Sequence, residues 1–138
     1  MKTIIKHLVQ IRFSAPLILF GWGLWLIIFH PFDTSVSFML MNKLASELVY
    51  GVIYLIAGGF SFIVEIIFDK SPRHTKGTGV LRLAGPILVT VCWFFIWILF
   101  FLTNPTTTAV YIYGVLFVIS FVNFMDISEL YNWRNGFR

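Results

Sequence analysis

Charge is scarce in this chain of 138 residues: 12% of them are Asp, Glu, Lys or Arg, about half the roughly 25% of an ordinary soluble domain. Cysteine is scarcer still. Cys92 stands alone, which excludes a disulfide within the chain, and it lies in an apolar run where a thiol behaves as a small buried hydrophobe. His7, His30 and His74 are far apart, and neither a Cys-x-x-Cys nor a His-x-x-x-His spacing occurs. A Cys/His metal centre and a bis-histidine haem at membrane depth are therefore both unsupported. There is no Ser/His/Asp set, no nucleophile beside a base, and no pair of carboxylates on one helical face within a span except Glu65 and Asp69 at its edge. The expectation is a protein that is not an enzyme and uses no cofactor.

Apolar residues, by contrast, make up 59% of the chain, with sixteen Phe, five Trp and five Tyr, and the mean hydropathy is +0.89. That is more apolar surface than a water-soluble fold of this size can hide. A soluble enzyme and a nucleic-acid-binding domain are excluded, and nucleic acid is no partner. The fold expected is an all-α integral membrane protein, a single domain over 1–138.

Four runs have the length that about 30 Å of hydrocarbon demands of a helix. The first, Phe13 to Phe29, opens on Ser14-Ala15-Pro16, where proline suits a first turn, and closes at His30-Pro31. No small-x-small cleavage pattern follows, so the run is read as a span and not as a leader. The second runs from Leu48 to Phe68, and the third from Val80 to Leu102, with Gly85-Pro86 in its first turns. The fourth, Thr108 to Met125, follows Thr106-Thr107-Thr108, whose hydroxyls are expected to cap it, so the last two spans form a tight hairpin.

Basic residues set the orientation, because Lys and Arg in short loops are retained on the cytoplasmic side. Lys2, Lys6 and Arg12 precede the first span, Lys70, Arg73, Lys76 and Arg82 flank the connection between the second and third, and Arg134 and Arg138 follow the fourth. Only Lys43 falls on the other side. Both termini are thus expected in the cytoplasm of a bacterial-type inner or plasma membrane. Lys70, Arg73, Lys76 and Arg82 are candidate contacts for anionic lipid headgroups. In Met1–Arg12, Ile4, Ile5, Leu8 and Ile11 recur at helical spacing opposite basic residues, the pattern of an interfacial amphipathic helix. Between the first two spans, Thr34–Ser46 carries Phe38, Met39, Leu40 and Leu44, with Asp33 or Thr34 as candidate caps. A continuous helix from Ser35 to Phe68 would be about 50 Å long, so the second helix is expected to bend or to extend beyond the bilayer.

The most informative pattern is on the second span. Lys43, Glu47, Gly51, Tyr54, Gly58, Ser61, Glu65 and Asp69 follow at spacings of three or four, which places them on one helical stripe. Gly51, Tyr54, Gly58 and Ser61 read as a packing or oligomer seam, since small residues admit a second backbone and hydroxyls can bond across the contact. The sharper alternative is a hydrated path with Glu47 and Glu65 as mouth carboxylates. Weaker stripes are Ser14, Gly21 and Trp25 on the first span, Trp93 and Trp97 facing protein on the third, and Asn123 on the fourth, where it needs an interhelical partner.

Two functions follow from these readings. The first is a non-catalytic membrane component acting by assembly, with copies of itself or as a subunit of a larger membrane complex. The second is a homo-oligomeric pore or ion conduit, of the phage-lysis or effector type included; an immunity or exclusion protein binding another membrane protein is a further possibility. Four spans in so short a chain recur in small multidrug exporters, but the carboxylate that those proteins carry in the first span has no counterpart here.

Overall fold

A computed structural model describes residues 2–33, 36–70 and 76–135, and the side chains of 13–33, 36–67 and 80–128. The backbone is helical throughout: α1 (Lys2–Phe29), two 3-10 turns (Pro31–Asp33 and Val36–Phe38), α2 (Met39–Leu44), α3 (Glu47–Lys70), α4 (Lys76–Thr103) and α5 (Thr108–Asn135). No strand occurs among the described residues. Three stretches are long and apolar enough to cross a membrane, Glu47–Ile67, Val80–Thr103 and Thr108–Ser128, and Phe13–Phe29 is a shorter fourth apolar helix. Helices are what hydrocarbon permits, because each satisfies its own backbone groups where no water can.

Pro16 sits differently from the sequence expectation, and Pro86 lies in a helix interior. α1 starts at Lys2 and passes through Pro16, and α4 starts at Lys76 and passes through Pro86. A soluble helix interior would lose about 3 kcal/mol to proline, but neighbouring helices and hydroxyls compensate in a packed apolar bundle. Pro16 is fully buried, with its carbonyl turned toward Gly58 of α3. On α4, Thr90 Oγ1 donates to the Pro86 carbonyl at 2.7 Å. The backbone of 2–12 is the first part of α1; the amphipathic pattern of its side chains lies outside the described residues.

Successive long helices run antiparallel. On α1 and α3, Phe13 meets Phe62 edge to face, while Gly23 lies against Gly51. Between α3 and α4, Ser61 Oγ donates to the Gly85 carbonyl at 2.7 Å, and Tyr50 lies 6.3 Å from Phe95. Between α4 and α5, Trp97 stacks on Phe117 at 5.8 Å and lies over Gly114. Trp93 and Ile96 are completely buried, and Trp93 Nε1 donates to the Ala15 carbonyl across the bundle.

The segment from His30 to Ser46 closes one end. His30 takes a left-handed conformation (φ 46°), its N–H bonds the Leu26 carbonyl, and Pro31 blocks further helix. From there the chain folds back as a wedge. Phe38 lies within 5.2 Å of both Phe32 and Phe100 and within 6.5 Å of Trp22, while Met41 is completely buried. At Ala45 the backbone is extended (φ −160°, ψ 163°), so α2 and α3 are separate helices with a break between them. The caps differ from those expected. Phe38, not Asp33, is the N-cap of α2, with no side-chain bond; Thr34 is outside the described residues. At α5, Thr106 and Thr107 spend their hydroxyls on Asn104, bonding its side-chain oxygen and its carbonyl.

Candidate functional site

The stripe on α3 is occupied along its length by this chain's own helices. Gly51 faces α1: a Cβ there would stand 2.5 Å from Ile27 Cγ1 and 3.1 Å from the Gly23 carbonyl. At Gly58 it would stand 2.6 Å from the Phe20 nitrogen and 2.7 Å from the Pro16 carbonyl. The approach at Gly58 needs glycine, since its contacts are backbone to backbone, whereas at Gly51 the nearest neighbour is the Ile27 side chain. Tyr54 is 2% exposed, and its hydroxyl is buried without a hydrogen-bond partner. Ser61 turns from α1 to α4 and bonds Gly85, where a Cβ would come within 3.2 Å of Ser61 Cα. The seam thus joins three helices of one molecule.

The two candidate mouth carboxylates, Glu47 and Glu65, are also engaged. Glu47, in the first turn of α3, accepts at 2.5 Å from His30 Nδ1 through one oxygen and at 3.1 Å from the Phe32 backbone N–H through the other. It thereby ties the end of α1 and the first 3-10 turn to α3. At the opposite end, Asn123 of α5 donates through Nδ2 to Glu65 Oε1 at 3.3 Å. This cross-bundle bond unites two residues that each called for a partner in sequence. The Asn123 carboxamide oxygen is buried and receives no hydrogen bond from the described residues. In the antiparallel register set by Ser61 and Gly85, one further turn brings Glu65 of α3 level with Arg82 of α4.

On α1 the buried face is Pro16, Leu19, Gly23 and Leu26. The stripe expected through Ser14, Gly21 and Trp25 is not the packed one, for Gly21 is exposed with nothing within 4 Å of a Cβ. Heptad-like spacing of Leu19, Gly23 and Leu26 was the signal for the true face. Trp93 does face protein, and Trp97 is half-buried. Of the candidate lipid contacts, Arg82 is half-buried in α4; Arg73 and the side chains of Lys70 and Lys76 lie outside the described residues. Among the described residues no group of three His, Cys, Asp or Glu is placed to hold a metal ion.

The sequence reading had His30 only as a helix terminator. Its partner is seventeen residues away across a loop, a separation that no helical period marks. Comparison with protein-family models, with curated proteins and with solved structures finds no match to this chain. Its functional reading therefore rests on the geometry above.

Proposed function

We propose that the chain crosses the membrane four times and acts without catalysis, by assembling in the bilayer plane with a second copy or with another membrane subunit. In this reading α1 crosses through Phe13–Phe29, residues before it lie along the interface, both termini are cytoplasmic, and the membrane is a bacterial-type inner or plasma membrane. One observation carries the proposal. The interior is filled by packed aromatics, while the exterior is apolar on all four long helices: Leu17, Ile28, Ile56, Ile63, Val91, Leu102, Ile112 and Val118 are all exposed. A protein built this way meets its partners through lipid-facing contacts. Lipid tails are as apolar as leucine, so such contacts form by shape and close backbone approach.

With Gly51 and Gly58 engaged inside the molecule, the assembling surface is a different one. Gly21, on the outward face of α1 between Leu17, Ile18, Leu24 and Ile28, is the one described glycine with open space beside it. The conduit reading draws no support from this arrangement, since Glu47 and Glu65 both accept hydrogen bonds from within the chain. In a Cys92→Ala background, single cysteines at Gly21 and Ile112 should crosslink to another chain in native membranes. If neither does and the extracted protein is a monomer, the proposal fails. Reporters fused ahead of Met1 and within Thr34–Ser46 should fall on opposite sides of the membrane, which tests separately whether α1 crosses.

A further inference from the structure

Buried polar side chains are unevenly shared between the two ends of the bundle. Ser61, Glu65, Ser120 and Asn123 gather toward the end that carries Arg82, whereas Phe32, Phe38, Met41 and Phe100 fill the end that carries His30. Asn123 is the informative residue. It is 9% exposed, its Nδ2 donates to Glu65, and its Oδ1 is buried with no donor from the described residues. Turning the amide over does not resolve this, because Nδ2 would then stand where Oδ1 stood, equally without a partner among the described residues. An amide oxygen left without a donor in an apolar environment costs roughly 2–7 kcal/mol, which favours a donor beyond the described side chains. Water is the donor within reach: Asn123 lies three residues before the exposed Asp126, about 4.5 Å along a helix.

We propose that the Glu65–Asn123 crossing is a hydrated, dead-ended site whose ligand is water, open only at the end of the bundle that carries Arg82. Beyond it the path is closed. Ser61 and Gly85 bring α3 and α4 into contact, and Ala57, Val89 and Trp93 are buried behind them. Among the described side chains, the ionisable groups around the site are Glu65 on α3, Arg82 on α4 and the exposed Asp126 on α5. The inference rests on the membrane reading of the fold and not on assembly, so its failure leaves the assembly proposal standing.

Cysteine accessibility tests it, because thiols react as thiolates, which form in water and not in hydrocarbon. In full-length Cys92→Ala protein in native membrane vesicles, Asn123→Cys should be modified by a small membrane-impermeant cationic methanethiosulfonate. Modification should come only from the side on which a carboxyl-terminal tag is accessible. Val89→Cys, deeper in the bundle, and Val118→Cys, on the exposed face of α5, should both stay inert. An inert Asn123→Cys in protein that elutes like its parent on gel filtration overturns the proposal. So does modification from the other side, or a Val89→Cys that reacts equally fast. Where Asn123→Cys fails the gel-filtration check, Glu65→Cys takes its place under the same outcomes.

Discussion

Replacing Gly58 by alanine puts a methyl group where the backbone of α1 already lies. Its carbon would stand 2.6 Å from the Phe20 nitrogen and 2.7 Å from the Pro16 carbonyl, against the 3.4–4 Å of ordinary contact. Neither neighbour is the end of a flexible side chain, so α1 and α3 must part by somewhat under 1 Å. A gap of about 0.5–1 Å forfeits roughly a quarter to a half of the dispersion energy of each contact, and overpacking of this kind costs about 1–3 kcal/mol. Alanine recovers about 1 kcal/mol through helix propensity. The net expectation for Gly58→Ala is a loss of up to about 2 kcal/mol. Gly21→Ala is the matched control: with nothing within 4 Å only the propensity gain of about 1 kcal/mol remains. Thermal or dodecyl sulfate unfolding in mild detergent, followed by helical circular dichroism, should therefore move in opposite directions for the two variants. A Gly58→Ala midpoint equal to or above that of Gly21→Ala would refute the close α1–α3 approach.

Three further substitutions, at two positions, probe one end and the middle of the bundle. Glu47→Ala should destabilise by about 1–3 kcal/mol by leaving the part-buried Phe32 N–H without an acceptor, and should expose the His30–Ser46 segment to limited proteolysis. Glu47→Gln keeps an acceptor for Phe32 and should lose less, so equal losses in the two would argue against the tether. Tyr54→Phe should match or exceed the wild type in unfolding midpoint, because it removes a buried hydroxyl that has no partner; a clear loss would mean that the hydroxyl is bonded in the membrane.

How far the fold could be read from sequence depended on the range of each signal. Apolar runs of helical length marked Glu47–Ile67, Val80–Thr103 and Thr108–Ser128, because hydrocarbon imposes both length and composition on a spanning helix. Pro16 misled the placement of the first helix start. The rule that puts proline in a first turn comes from helices whose termini meet water, whereas here Pro16 is buried against α3 inside a longer helix. The stripe on α3 was legible as spacing, but spacing says only that a neighbour comes close. That the neighbours of Gly51 and Gly58 belong to the same chain, through the face of α1 that carries Gly23, is a tertiary fact. The same holds for His30 with Glu47, and for Glu65 with Asn123, fifty-eight residues apart.

The way this chain spends its polar side chains constrains how it can act. Interhelical hydrogen bonds in membrane proteins contribute on average about 0.6 kcal/mol each, so Ser61 to Gly85 and Asn123 to Glu65 add little to stability as energies. Their larger effect is on register. Each is satisfied only when α3, α4 and α5 stand in one alignment, since a slip of one residue would strand a polar group in an apolar setting. With those groups turned inward, the apolar exterior has few hydrogen bonds to offer a partner in the membrane. Under the assembly proposed above, selectivity between partners would come from shape, so an outward glycine with open space beside it, Gly21, would weigh more than an exposed leucine. A variant that fills that notch while leaving the bundle intact, as Gly21→Leu would, separates folding from association. Unfolding at or above the wild-type midpoint with loss of crosslinking would place the proposed partner on α1, and retained crosslinking would move it to another face.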